Sequence, residues 1–275
     1  MKFSSVAFLG QTEASSGAIV EDGLVFDFRA QDYVSGSLTW NSNTGDYTAS
    51  ITGTIGGGLQ YFDGSKVAFD GNHWLTFSNS ITSSFVSASQ WNIYVLTEFT
   101  NTQLQTNTFK PAFFSKGVAD FPDWNWWFRG GNSGMAASQT GDVLVNGYVN
   151  SSTYNQGGML ADSYSASFAG SSKQLFGFQI LGSATGSSTN GFVTTNFNTT
   201  IPGNSVSIDP AVYGPGSFTG SLAEPVLFGR EINQGFGLPA STNMTGSVVR
   251  IFAYNRNLTS VERKQNYISL FNKYP

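Results

Sequence analysis

Short apolar runs recur along the chain between clusters of Gly, Ser and Asn, and that punctuation limits what it can fold into. Ten such runs stand out: "GLVFDF" (Gly23–Phe28), "KVAFDG" (Lys66–Gly71), "HWLTFS" (His73–Ser78), "WNIYVLTEF" (Trp91–Phe99), "PAFFSK" (Pro111–Lys116), "WNWWFR" (Trp124–Arg129), "DVLVNGYV" (Asp142–Val149), "QLFGFQI" (Gln174–Ile180), "EPVLFG" (Glu224–Gly229) and "SVVRIFAYN" (Ser247–Asn255). Each has the length and the flanking turn residues of a β-strand. Roughly ten short strands with turns between them predict an all-β domain of two packed antiparallel sheets.

Composition agrees. Charged residues make up 11% of the chain, less than half of the roughly 25% usual in a soluble domain. Thirty-two Gly and 24 Phe favour turns and strands over helices. The 275 residues and net charge of -4 provide a large core and argue against nucleic acid, which is bound by clusters of Lys and Arg. With no cysteine, packing alone must hold the fold. No apolar run approaches the roughly 18 residues needed to span a bilayer, so membrane insertion is not expected.

The densest aromatic segment is "DWNWWFRGG" (Asp123–Gly131). On a strand, Trp124, Trp126 and Phe128 share one face, while Asn125, Trp127 and Arg129 share the other. The first set reads as a core face between the sheets. The second sets a tryptophan among polar groups, the chemistry for stacking on a sugar ring while its hydroxyls are bonded. Its alternative is a ring covered by the following loop, Gly130 to Gly141, or by another protein. Asn125, Trp127 and Arg129 are the candidate ligand or interface residues.

Only the end of the chain departs from the strand pattern. In "TSVERKQNYISLF" (Thr259–Phe271), Thr259 precedes Glu262 by three residues, a capping-box spacing, and Val261, Ile268 and Phe271 are available to pack. One helix is expected there. At the other end, "MKFSSVAFLGQTEASSGA" has an apolar stretch shorter than a signal core and cut by Gln11, Thr12 and Glu13. Residues 1–20 are read as an N-terminal arm, and residues 21–275 as one domain with an elaborated middle.

Two stretches carry a family resemblance. "GLVFDFRAQDYVSG" followed by "KVAFDGNHWLTF", and the ending "GSVVRIFAYNRNLTSVERKQNY", resemble the start and finish of laminin-G-like, concanavalin-A-like jelly-roll domains, including those of tailed-phage virion proteins. Tyr254, Asn255, Arg256, Leu258, Glu262, Asn266 and Tyr267 fall at that family's spacing for a last strand, a turn and a short helix. The resemblance implies a two-sheet antiparallel jelly-roll sandwich with a short C-terminal helix, its first strand near its last. It does not by itself imply an activity. Where relatives often carry an acid before the alanine of the first strand, this chain has Arg29 before Ala30, so any role of that acid does not transfer.

Catalytic readings find little to stand on. Retaining glycoside hydrolysis needs two carboxyl groups about 5 Å apart, and the alternating acids of laminarinase-like glucanases are missing. Glu98 is a lone strand acid, and the single histidine, His73, has neither a nucleophile-elbow context nor an obvious acid partner and reads as a strand-initial residue. Asp27, Asp70 and Asn72 supply oxygens for Ca²⁺, but "DGN" at Asp70–Asn72 reads first as a turn. No catalytic residue, metal or cofactor is expected.

Three function classes follow. The first is a non-enzymatic structural protein of a tailed-phage particle, decorating the capsid or part of the tail, with other virion proteins and cell-surface glycans as partners and a homo-oligomer or multi-copy assembly as its state. The second is an extracellular lectin or adhesin. The third, a glycoside hydrolase, lacks its acid pair.

Overall fold

The computed structural model describes residues 18–45, 47–53, 58–62, 65–81, 90–98, 112–116, 126–132, 143–149, 173–183, 186–194, 206–207, 226–230 and 243–274. Among these are fifteen strands in two antiparallel sheets and a C-terminal α-helix. Strands are numbered in chain order. One sheet has eight: β1 (Leu24–Arg29), β4 (Gln60–Phe62), β5 (Lys66–Asp70), β7 (Gln90–Glu98), β11 (Lys173–Ser183), β12 (Gly186–Thr194), β13 (Val206–Ser207) and β15 (Thr245–Tyr254). The other has seven: β2 (Thr39–Asn41), β3 (Thr48–Gly53), β6 (His73–Phe77), β8 (Ala112–Lys116), β9 (Trp126–Asn132), β10 (Val143–Val149) and β14 (Leu227–Phe228).

The seven-stranded sheet runs β10-β9-β8-β14-β6-β3-β2, so strands far apart in sequence lie side by side. In the eight-stranded sheet the order is β13-β12-β11-β7-β15-β5-β4, and β1 also pairs with β15. The first described strand therefore pairs with the last, as the resemblance implied.

Aromatic rings fill the space between the sheets. Phe26, Phe28 and Phe69 of the eight-stranded sheet and Trp40, Phe77, Phe114 and Phe228 of the seven-stranded sheet are all buried. Phe28 lies 5.5 Å from Phe77, Phe77 stacks on Phe114 at 5.8 Å, and Phe69 meets Phe228 edge-on at 5.5 Å. Such offset and edge-on pairs add to the burial of large rings. The chain's wealth of phenylalanine thus becomes one continuous core. A bulge between Ala112 and Phe114 helps, because it lets the successive Phe113 and Phe114 both bury.

The back of the eight-stranded sheet holds an ion cluster around a buried carboxylate. Asp27 is fully buried and accepts from Arg250 Nε and Nη2 at 2.6 and 2.8 Å and from Arg29 Nε at 2.6 Å. Tyr94 stacks on Phe252 at 4.8 Å in the adjoining rows, and Arg250 lies over the Phe252 ring at 5.1 Å. Arg29 serves as the second cation on Asp27.

The described residues 18–21 and 258–274 form a separate compact unit, and the sandwich lies within residues 22–257. The helix, α1, spans Ser260–Lys273 and begins in the expected capping box: Thr259 Oγ1 accepts from the Glu262 N–H at 3.3 Å, and Glu262 Oε2 accepts from the Thr259 N–H at 2.7 Å. Val261, expected to pack, is instead 68% exposed, because the buried side of α1 falls on Asn266, Tyr267, Ser269 and Leu270. Ile268 is half-buried, and the side chain of Phe271 lies outside the described set. This face holds the described end of the N-terminal segment. Asn266 Oδ1 accepts from the Val20 N–H at 2.8 Å, and Ser269 Oγ and Gln265 Nε2 donate to the Ala18 carbonyl at 2.7 and 3.2 Å.

Candidate binding face

Register defines the two sides of the seven-stranded sheet. Phe128 pairs with Phe114, Phe228 with both Phe114 and Leu75, and Leu75 with Ile51. Phe114, Phe228, Leu75 and Ile51 are core residues, so this row faces inward. The neighbouring row faces outward, since successive strand residues alternate. It runs Trp127, Ser115, Leu227, Thr76, Ser50, Thr39 across adjacent strands. At about 4.8 Å per strand, Trp127 and Thr76 are about 14 Å apart at the backbone.

The middle of this outer face is built around Trp74 and Arg230. Gly229 has φ of 86°, a left-handed conformation that L side chains rarely adopt. It turns the chain out of β14, and residue 230 then lies over the outer surface. Ser115, 2% exposed, donates its hydroxyl to the Arg230 carbonyl at 2.6 Å. The Arg230 guanidinium lies 4.0 Å from the Trp74 ring centroid, which leaves Trp74 only 7% exposed. Arg230 is thereby fixed at both ends, its backbone by a serine and its side chain by an indole.

Hydroxyl groups flank this pair. Thr52 stands opposite Trp74 in register, and its Oγ1 lies 3.0 Å from Thr76 Oγ1. Further toward the β2 edge, Ser50 and Thr39 are exposed, and Thr48 Oγ1 donates to Asn41 Oδ1 at 2.9 Å. Among the described residues no carboxylate pairs with Arg230. Among the described residues the face therefore presents the cation of Arg230 beside the hydroxyls of Thr52, Thr76, Ser50 and Thr39.

The sequence-derived candidates meet this face in part. Trp127 and Arg129 lie on β9, Trp127 between Ser115 and Tyr148, and Arg129 opposite Ala112 and Asn146. Their side chains, and those of Trp126 and Phe128, are outside the described set, as are Trp124 and Asn125 altogether. β9 is described from Trp126 and continues through Gly130 and Gly131 to Asn132, so the expected loop begins as strand. Trp74, Arg230, Ser115, Thr52 and Thr76 were not singled out. The signal available for Arg230 was a glycine directly before it at the end of an apolar run, the mark of a chain turning out of a sheet.

The proposed calcium oxygens divide between two structural tasks. Asp27 is engaged by two guanidinium groups. Asp70 closes the β5–β6 turn: its Oδ1 accepts from the Asn72 and His73 N–H groups at 2.8 and 3.1 Å, and both carboxylate oxygens lie 3.0 Å from His73 Nδ1. Partial burial pushes the Asp70 carboxyl up, but the hydrogen bonds from Asn72 and the contact with His73 outweigh it and hold the group below its ordinary value. His73 does open β6, with the acid partner that the sequence did not reveal. Glu98 pairs with Lys66 at 3.1 Å. Among the described residues no group of three or more His, Cys, Asp or Glu is placed to hold a metal ion.

No protein-family model matches the chain, and no curated protein matches it in sequence. Solved structures do match in fold. Trypanosoma rangeli sialidase in complex with sialic acid aligns at a TM-score of 0.53 and 12% identity, over 92% of this chain and 34% of that one. A further structure of the Trypanosoma rangeli sialidase aligns at 0.52 and 14%, over 92% and 33%. The botulinum neurotoxin serotype C1 binding domain aligns at 0.50 and 11%, over 92% and 53%. The chain thus spans about a third of the sialidase's length and about half of the neurotoxin domain's. At these identities the likeness is one of fold alone, a two-sheet antiparallel β-sandwich.

Proposed function

We propose that this chain is a non-enzymatic attachment module, displayed on the surface of a tailed-phage particle and meeting cell-surface glycans through the outer face of the seven-stranded sheet. The observation that carries the reading is the outer face itself, on which Arg230 over Trp74 lies with the hydroxyls of Thr52 and Thr76. Hydroxyl-rich surfaces with oriented donors suit saccharides, which offer hydroxyls in return. The particle setting rests on the resemblance at Gly23–Gly36, Lys66–Phe77 and Gly246–Tyr267, and on a charge content low enough for much of the surface to face other proteins.

A non-catalytic role fits the acids. Asp27, Asp70, Glu98, Asp22 and Glu262 each hold a guanidinium, a histidine, a lysine or a helix cap. Incubation with β-glucans and bacterial polysaccharides should release no reducing sugar above background; turnover abolished by Glu98→Gln would overturn this part.

An extracellular lectin is the second reading, favoured by the fold shared with a sialidase structure that holds sialic acid and with a neurotoxin binding domain. Antibody detection separates the two. The chain should band with gradient-purified particles at fixed stoichiometry, whereas recovery only as free protein in the medium would leave the lectin reading standing. The face is tested by Thr52→Glu/Thr76→Glu. This variant should stay folded by circular dichroism and lose glycan retention, and unchanged retention would remove the face from the account.

A further inference from the structure

We infer that the outer face selects acidic saccharides, with Arg230 receiving the carboxylate or sulfate of the bound sugar; this rests on the glycan-binding reading above and names its ligand class. Three observations lead there. Arg230 is half-buried, its guanidinium lies 4.0 Å from the Trp74 ring centroid, and among the described residues neither an acid nor a carbonyl accepts from it. Its backbone is held by Ser115 at 2.6 Å and aimed by the left-handed Gly229. Beside it, Thr52 and Thr76 hold their hydroxyls 3.0 Å apart.

Each observation bears on affinity. A guanidinium seated over an indole is partly desolvated, and its N–H fork matches a carboxylate or sulfate with two parallel hydrogen bonds. Because the side chain is already oriented, little rotamer entropy is lost when an anion arrives. An ordinary surface arginine lacks both restraints. The threonine pair supplies donors and acceptors for the ring hydroxyls next to the acid group, and a neutral sugar there would leave the guanidinium edge to water.

Bulk electrostatics cannot produce the same preference, since the chain carries a net charge of -4 and repels polyanions at long range. A preference for acid must therefore be local, and Arg230 is its source.

The test is calorimetric titration of the full chain with galacturonic acid oligomers, the same oligomers as methyl esters, dextran sulfate and neutral dextran. The free acids should bind about tenfold more tightly than their esters, the worth of one oriented charge-assisted contact, and the gap should narrow as salt is raised. Dextran sulfate against dextran shows whether sulfate is accepted as well as carboxylate. Arg230→Gln should close the gap between acid and ester, and Arg230→Lys should restore only part of it. Equal binding of acid and ester, or a gap that survives Arg230→Gln in folded protein, overturns the inference and leaves glycan binding intact. Failure of all four probes to bind overturns both.

Discussion

A carboxylate sealed from water persists only where cations reach it, and Asp27 has two, Arg250 from the last strand and Arg29 from its own. Removing it leaves Arg250, whose side chain is 4% exposed, charged and buried. Asp27→Ala should therefore lower stability by about 3 to 5 kcal/mol in urea denaturation at pH 7, and Asp27→Ala/Arg250→Met should recover much of that loss. A loss under about 1 kcal/mol would show that water reaches the cluster. Asp70 acts differently, being 46% exposed at its side chain. With its carboxyl held below the ordinary 3.8, the unfolded chain binds the proton more tightly, so its contribution is full above that value and fades as pH falls through the folded one. Asp70→Asn should make the acid limb of a stability–pH curve shallower below about pH 4, and an unchanged limb would contradict the turn geometry. Sequence alone read Asp70–Asn72 first as a turn, which Asp70 does close, and offered Asp27 only as a Ca²⁺ oxygen. What it lacked was partner position, because Arg250 lies 223 residues from Asp27 and nothing local announces the pair.

Strands with strong apolar alternation were legible, and those that alternate with small or polar residues were not. β3 buries only Ala49 and Ile51 among exposed Ser50, Thr52 and Gly53, while β2 buries only Trp40. Both lie at one margin of the seven-stranded sheet, where one face meets water and needs no hydrophobic residue. The candidate face was hidden for the same reason, since its threonines and serines read as turn formers until register set them side by side. The helix was legible because its signal is local: the capping box follows from two residues three apart. Thr259→Ala should cost about 1 kcal/mol in thermal or urea melts, with a null effect meaning that the cap is redundant. Gly229 is the corresponding device at the end of β14. Gly229→Ala puts an L residue at φ of 86°, with its Cβ 3.2 Å from Phe69 Cε1, and should lose about 1 to 2 kcal/mol. It should also weaken glycan retention by turning Arg230 off Trp74, whereas retention at full strength would show that the turn does not aim the arginine.

The sandwich as a whole is closed by strands from its two ends, β1 against β15, with β7 on the other side of β15. Pairings this distant in sequence are slow to form, and refolding is expected in the millisecond-to-second range or slower. Deleting residues 22–29 should abolish cooperative unfolding, since it strips β15 of a neighbour and Arg250 of its acid. One surface of this closed frame carries the functional claim. It is tested most directly with a saccharide that the chain retains, tagged with a photoreactive diazirine, cross-linked to the intact protein and mapped by mass spectrometry. The account predicts adducts in peptides containing Thr52, Trp74 to Thr76, Ser115 and Arg230. Adducts confined to the eight-stranded sheet, or to α1, would contradict it.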